Sequence, residues 1–270
     1  MALIVVMSAT GSPGVTTSAV ALALAWPRPV VLVEADPSGS SGVLAGYLRG
    51  ELAHEGGLID LAMAHRQGML GGALPRALMA IPDSRVQFLP GVRGHDQARS
   101  LTGVWEPLAA ALRGLDRQGQ DVIVDAGRLG LAGFPMLLVA AADVALLVCR
   151  SSLPALAGAR SWAAALREEF TPAGAATALG VVLVGSGRPY GAREVSRVLG
   201  VPVVAELDWD PDSARVFSDG ASPPRRFERR GLPRSVRAAV TGVQAIVAAT
   251  ALQPPAAARV ASAVGDRGTA

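Results

Sequence analysis

Apolar residues fall along this chain in short, nearly unbroken runs separated by longer stretches with helical spacing. The runs are Leu3–Met7, Val30–Glu34, Val86–Leu89, Val122–Asp125, Val144–Cys149, Val181–Gly185 and Val203–Glu206. A strand covered on one face alternates apolar with polar positions, whereas a continuous run marks a strand buried on both faces. Between the runs, the pattern predicts helices over Thr16–Trp26, Gly57–His65, Ser100–Gln118, Pro154–Phe170, Gly191–Leu199 and Pro233–Leu252. Strand–helix alternation predicts an α/β fold, a doubly wound, mostly parallel sheet flanked by helices. Such sheets take ligands at the carboxyl ends of their strands. Residues 1–252 read as a single domain. Gln67–Asp83, rich in Gly, Pro and Met, reads as a flexible insertion, and the Ala/Pro-rich tail 253–270 as disordered.

The segment between the first strand and the first helix is Ser8-Ala9-Thr10-Gly11-Ser12-Pro13-Gly14-Val15-Thr16-Thr17. Gly11 and Gly14 allow a tight turn whose N–H groups face inward, and the helix beyond adds the positive end of its dipole. This is the design of a phosphate loop, with the Thr16 hydroxyl placed for magnesium. The chain, however, contains no lysine; all 25 of its basic residues are arginine. Val15 stands where such loops carry lysine just before the Ser/Thr. A glycine turn without a ligand would look similar, so the loop alone leaves both readings open. A dinucleotide-binding turn fits less well, because Gly11-x-x-Gly14 is not G-x-G-x-x-G and gives the Thr16-Thr17 pair no task.

Two acidic strand ends sharpen the picture. One run ends Val33-Glu34-Ala35-Asp36-Pro37, the other Val122-Ile123-Val124-Asp125-Ala126-Gly127-Arg128. Carboxylates there can hold magnesium through water or simply cap helices. Composition adds limits. Apolar residues make up 50% of the 270, yet no run reaches the roughly 18 that a spanning helix needs. The opening Ala2–Met7 is too short for the core of a secretory signal. A single cysteine, Cys149, excludes an internal disulfide and fits a reducing cytoplasm. The net charge of +3 is too mild to point to nucleic acid. His54, His65 and His95 are scattered without metal spacing.

On these residues the chain resembles the ParA/MinD family of P-loop ATPases, whose deviant loop reads K-G-G-x-x-K-T-T. Gly11, Ser12, Gly14 and Thr16-Thr17 align with it, while Thr10 and Val15 stand at the two lysines. Leu32–Pro37 is similar to the family's L-V-D-x-D-P segment, with Glu34 for the first Asp, and Asp121–Asp125 to its second acidic motif. Ala142–Val144 with Leu153–Leu156, and Leu199–Val203 with Asp208–Asp212, extend the likeness over roughly residues 2–250; the last stretch resembles the loop that in relatives holds adenine. The resemblance implies ATP and Mg2+ as ligands. Gly11, Ser12, Gly14, Val15, Thr16 and Thr17 would form the nucleotide loop. Thr16, Asp36 and Asp125 would serve the metal, mostly through water, with Asp36 near the attacking water. It also implies a homodimer that positions cargo such as a chromosome, a plasmid, or a pilus or secretion machine with its partner ATPase. Losing one charged contact costs about 1.5–3 kcal/mol, so binding weakens and hydrolysis weakens more. The activity expected is that of an ATPase with a degenerate loop, with a nucleotide-free scaffold as the alternative. Arg128 is the nearest candidate for a replacement cation; Arg150 and Arg188 read as solvated surface.

A last feature is basic. Pro224–Arg237 holds six arginines and one glutamate. Arg225, Arg226, Arg229 and Arg230 are candidates for a partner surface or for sequence-independent DNA contacts, against a solvated loop as the bland reading. The following helix is apolar nearly all round, which suits packing on the sheet better than lying on a membrane. The chain is thus expected in the cytoplasm, with peripheral membrane attachment a weaker expectation.

Overall fold

The computed structural model describes residues 2–170 and 178–251. The chain runs β1 (Leu3–Ser8), α1 (Val15–Ala25), β2 (Val30–Glu34), α2 (Leu58–Arg66), α3 (Leu70–Ala77), β3 (Met79–Ala80), β4 (Val86–Leu89), α4 (Trp105–Arg113) and β5 (Asp121–Arg128). It continues through α5 (Met136–Ala140), β6 (Val144–Arg150), α6 (Leu153–Phe170), β7 (Ala178–Val184), α7 (Ala192–Leu199), β8 (Val203–Leu207), α8 (Pro211–Ser218) and α9 (Gly231–Ala251). The sheet order is β3-β4-β2-β5-β1-β6-β7-β8. Among the described residues only the β3–β4 pair is antiparallel. The expected doubly wound, mostly parallel sheet is the one observed.

Strand periodicity explains why the apolar runs are continuous. Leu3, Val5 and Met7 join the core on one face, with α2–α7, while Ile4 and Val6 join the core on the other, with α1, α8 and α9. Every residue from Leu3 to Met7 is fully buried. Helix α1 is apolar on nearly all sides because it is enclosed by β1, β2, β5, α8 and α9. Trp26 ends it in an extended conformation ahead of Pro27.

The amino edge of the sheet is tied by carboxylates of a structural kind. Asp121, 3% exposed, accepts hydrogen bonds from the Ala2 N–H (2.8 Å) and from Trp26 Nε1 (2.9 Å). Asp143 accepts from the Leu3 N–H at 2.7 Å and pairs with Arg113. The other acids of the sequence motifs lie at the opposite, carboxyl edge.

The structure departs from the sequence reading in four places. The segment 67–83 is not a loose insertion: α3 buries Leu70 and Leu74, β3 pairs with β4, and Ile81 is buried. The i,i+4 leucines outweigh the Gly and Pro around them. The single helix expected over Ser100–Gln118 is broken into α4 between two 3-10 segments, His95–Leu101 and Gly114–Gln118. Gly103 and Gly114 flank the break. Helices α5 and α8 were not foreseen; the five residues of α5 are too few to show a period. The tail 253–270 and Leu252 lie outside the described residues. Among the described residues, no helix is long and apolar enough to cross a membrane.

Removing the Asp121 carboxylate leaves two buried donors unpaired. Asp121→Ala is expected to lower unfolding free energy by roughly 2–4 kcal/mol in urea titration. A loss below about 0.5 kcal/mol, the range of ordinary surface changes, would contradict this anchor.

Candidate functional site

At the carboxyl edge β1 passes into the turn Ala9–Gly14 and then α1. Ser12 (φ 55°) and Gly14 (φ 96°) hold left-handed backbone. Glycine does so freely, but at serine the conformation costs about 1–3 kcal/mol, so a strained turn is retained here. Helix α1 opens on Gly14 with no side-chain cap and no acidic residue in its first turn. Its first amides and its dipole are therefore left to whatever occupies the cleft in front.

That cleft measures about 520 Å³ and is walled by Ser12–Ser18, Asp36, Arg128, Arg150 and the segment Leu207–Pro211. A second cavity of about 740 Å³ adjoins it, sharing Ser12, Asp36 and Arg128 and adding Gly11, His95 and Arg99. The loop residues Gly11, Ser12, Gly14, Thr16 and Thr17 thus line one or other cavity. The two residues at the lysine positions are turned to structural use. The Val15 side chain packs into the core. Thr10 lies against α6 where Gly158 has no side chain; a Cβ there would overlap the Thr10 methyl.

Neighbouring strands β2 and β5 bring the acids to the loop. Their register pairs Glu34 with Asp125, and the β1–β5 register sets Val6 opposite Asp125. Asp125 is 1% exposed. Its Oδ1 accepts from the Gly127 N–H at 3.0 Å, while its buried Oδ2 has no well-formed hydrogen bond. Burial pushes this carboxyl up to about 7, helped by Asp36 and Glu34 and opposed by the Thr16 hydroxyl and the Gly127 amide. Burial also raises Glu34, which accepts from the Val43 and Gly91 N–H groups, each at 3.2 Å. Glu34 therefore ties the turn after β2 to the loop after β4. Asp36 accepts from the Ser38 N–H at 2.8 Å and rests on Gly127, whose φ of 67° and missing side chain make room for it.

Arginines flank the loop on both sides. The β1–β5 register pairs Ser8 with Arg128. The exposed Arg128 carries its Nη1 to within 3.8 Å of where a Gly11 Cβ would stand. Arg150, at the end of β6, is exposed as its position suggests, but it is engaged. It donates to the Ser12 carbonyl at 2.8 Å and lies over the Trp209 ring at 4.7 Å. Arg188 lines neither cavity.

The basic segment divides. Arg230 forms a bidentate pair with Asp210 (2.9 and 3.0 Å) and a contact to Asp212 (3.3 Å). The guanidinium holds Asp210 well below the usual carboxylate range, and the Ser213 hydroxyl and N–H add to this. Asp210 caps α8 and stands in the cleft wall, so Arg230 braces the pocket. Arg225, Arg226 and Arg229 are exposed and have no ion-pair partner among the described residues. Sequence reasoning named Arg150 but read it as solvated surface, placed Asp210 only within the stretch that resembles the adenine loop, and took Arg230 for a partner surface; the contacts that Arg150, Asp210 and Arg230 make were not foreseen.

The buried Asp125 has a measurable consequence. An aspartate ionises near 4 in an unfolded chain, and Asp125 near 7 in the folded one. Its contribution therefore favours folding below about pH 4 and is lost as pH rises through 7. Asp125→Asn should flatten the fall in stability between about pH 4 and 7 and leave the variant about 2–4 kcal/mol more stable than the unaltered chain at about pH 8. Parallel urea-denaturation profiles for the two proteins would contradict it.

No family model and no curated protein matches the sequence. Solved structures do match. The cell division ATPase MinD of Pyrococcus furiosus is 21% identical, with 91% of this chain and 100% of that chain covered and a TM-score of 0.69. The septum site-determining protein MinD of Pyrococcus horikoshii, complexed with Mg-ADP, is 19% identical over 94% and 100%, with a TM-score of 0.70. A ParA family ATPase from Chlorobium tepidum is 16% identical over 89% and 98%, with a TM-score of 0.68. At these identities the likeness is one of fold, and the fold is that of the MinD and ParA structures.

Proposed function

We propose that this chain is a nucleotide-binding, dimerising switch of the ParA/MinD type that positions or partitions cellular cargo, with weak or absent ATP hydrolysis. The observation that carries the reading is the pairing of an uncapped α1 amino terminus with a buried, half-unpartnered Asp125 across Thr16. An anion suits the first, and a hydrated cation suits the second. The P. horikoshii MinD structure, of the same fold, holds Mg-ADP.

The residues fit magnesium and a phosphate chain. The Asp125 Oδ2 needs a partner, and the Thr16 hydroxyl is beside it. Among the described residues no three His, Cys, Asp or Glu side chains group as metal ligands. Magnesium held by one or two protein oxygens, water and phosphate has that donor set. When bound, Mg·ATP supplies a cleavable phosphate whose state selects partners. The protein's part is to bind and orient. The amides of Gly11, Ser12 and Gly14–Thr17 would face the phosphates, Thr16 and Asp125 would hold the metal shell, and Asp36, fixed by Ser38 and Gly127, would face the end of the chain. The wall Asp208–Pro211, braced by Arg230, would flank the base. Hydrolysis is expected to be poor because Val15 and Thr10 are committed to packing.

Cargo would be a chromosome, a plasmid, or pilus or secretion machinery, met as a homodimer. Arg225, Arg226 and Arg229 are the proposed surface for non-specific DNA or an acidic partner, with Arg230 contributing through the wall it braces. The packing of Val15 and Thr10 also favours a second reading, a scaffold that keeps the fold without the nucleotide.

Calorimetric titration decides between them. Mg·ATP or Mg·ADP is expected to bind with a Kd below about 100 μM, near −5.5 kcal/mol, and Asp125→Ala is expected to abolish the heat. Absence of heat at millimolar nucleotide would contradict the switch and leave the scaffold.

A further inference from the structure

A loop that binds phosphate without lysine still needs a cation where the negative charge collects. Five arginines border the two cavities or the adjacent strand ends, and the geometry separates them. Arg150 is committed to the Ser12 carbonyl and the Trp209 ring. Arg215 is paired with Asp219 at 3.1 Å. Arg188 lines neither cavity, and Arg99 lines only the second. Arg128 alone lines both, lies over Gly11 and has no carboxylate partner among the described residues.

The register makes this placement a property of the fold. Ser8, the last residue of β1 before the loop, pairs with Arg128, the last residue of β5. The loop and the guanidinium therefore leave the sheet side by side. Gly127, in left-handed backbone, seats Asp36 immediately before it. The amides of α1 line only the first cavity, whereas Ser12, Asp36 and Arg128 stand where the cavities join. A phosphate chain that starts at α1 and runs toward Gly11 reaches Arg128 at its far end.

We propose that Arg128 supplies the cation missing from the loop and contacts the distal phosphates of a nucleoside triphosphate. This rests on the nucleotide reading above and goes further by assigning the compensating residue and a preference for the longer phosphate chain. A guanidinium suits the task because its fixed fork meets two phosphate oxygens at once.

The test is calorimetric titration of Mg·ATP and Mg·ADP into the unaltered full chain and into Arg128→Gln, Arg128→Lys, Arg188→Gln and Val15→Lys/Arg128→Gln. Arg128 is exposed, so its variants should fold. Arg128→Gln is expected to weaken Mg·ATP about ten- to a hundredfold, and Mg·ADP less. Arg188→Gln should stay within about twofold of the unaltered chain. Arg128→Lys should recover much of the loss, since it returns positive charge to the loop; in Val15→Lys/Arg128→Gln the lysine recovers it only by leaving the core that Val15 packs into. If Arg128→Gln binds Mg·ATP as tightly as the unaltered chain does, this assignment falls while the nucleotide reading stands. A loss that neither lysine variant recovers would make Arg128 a matter of shape, and would likewise overturn the assignment. If the unaltered chain binds neither nucleotide, the reading and the assignment fall together.

Discussion

At the carboxyl end of β1, a strand buried on both faces gives way to a helix whose first amides have no side-chain partner. Everything nearby answers that constraint. The turn holds left-handed backbone at Ser12 and Gly14. β2 and β5 flank it with Glu34, Asp36 and Asp125. These carboxylates bring negative charge near a positive helix end, but among the described residues no three of them group as metal ligands. With a cation and an anion both present, the two charges would stabilise each other across Thr16. Burial raises the Asp125 carboxyl, so its ionised form opposes folding here.

The two edges of the sheet use the same residue types for different ends. Asp121 and Asp143, at the amino edge, are satisfied by backbone and tryptophan N–H donors and serve as anchors. Asp125, four residues along β5 from Asp121, has an oxygen with no well-formed hydrogen bond among the described residues. The contrast lies in what surrounds each carboxylate, and burial alone does not separate them. The arginines divide in the same way. Arg230 is held by Asp210 and Asp212 and shapes the cleft, Arg150 holds the loop backbone, and Arg128 is left uncommitted.

Much of this was legible in the residues themselves. The runs Leu3–Met7 and Val144–Cys149 announce strands covered on both faces, and strands so covered require the two helical layers observed. The loop, Asp36 and Asp125 each follow the end of an apolar run, and a parallel sheet brings such ends to one edge, so their convergence could be anticipated. What stayed hidden depends on register or on long-range pairing. Nothing linear places Arg150 on Ser12, 138 residues away, or Arg230 on Asp210, 20 residues away. The Gly127 seat for Asp36 and the Gly158 gap for Thr10 are steric facts between elements, which composition does not record. Leu70 and Leu74 did carry a period, but over a segment whose glycines and proline argued the other way.

The central claim is local: a phosphate chain binds at the turn between β1 and α1 without lysine. Amide hydrogen exchange read residue by residue, with and without saturating Mg·ATP, tests it most directly. The account predicts slowed exchange at Gly11–Ser18 and in the segment after β2 that carries Asp36, with the amino edge around Asp121 unchanged. Unchanged exchange at Gly11–Ser18 under saturating nucleotide, or protection confined to other parts of the molecule, would contradict it.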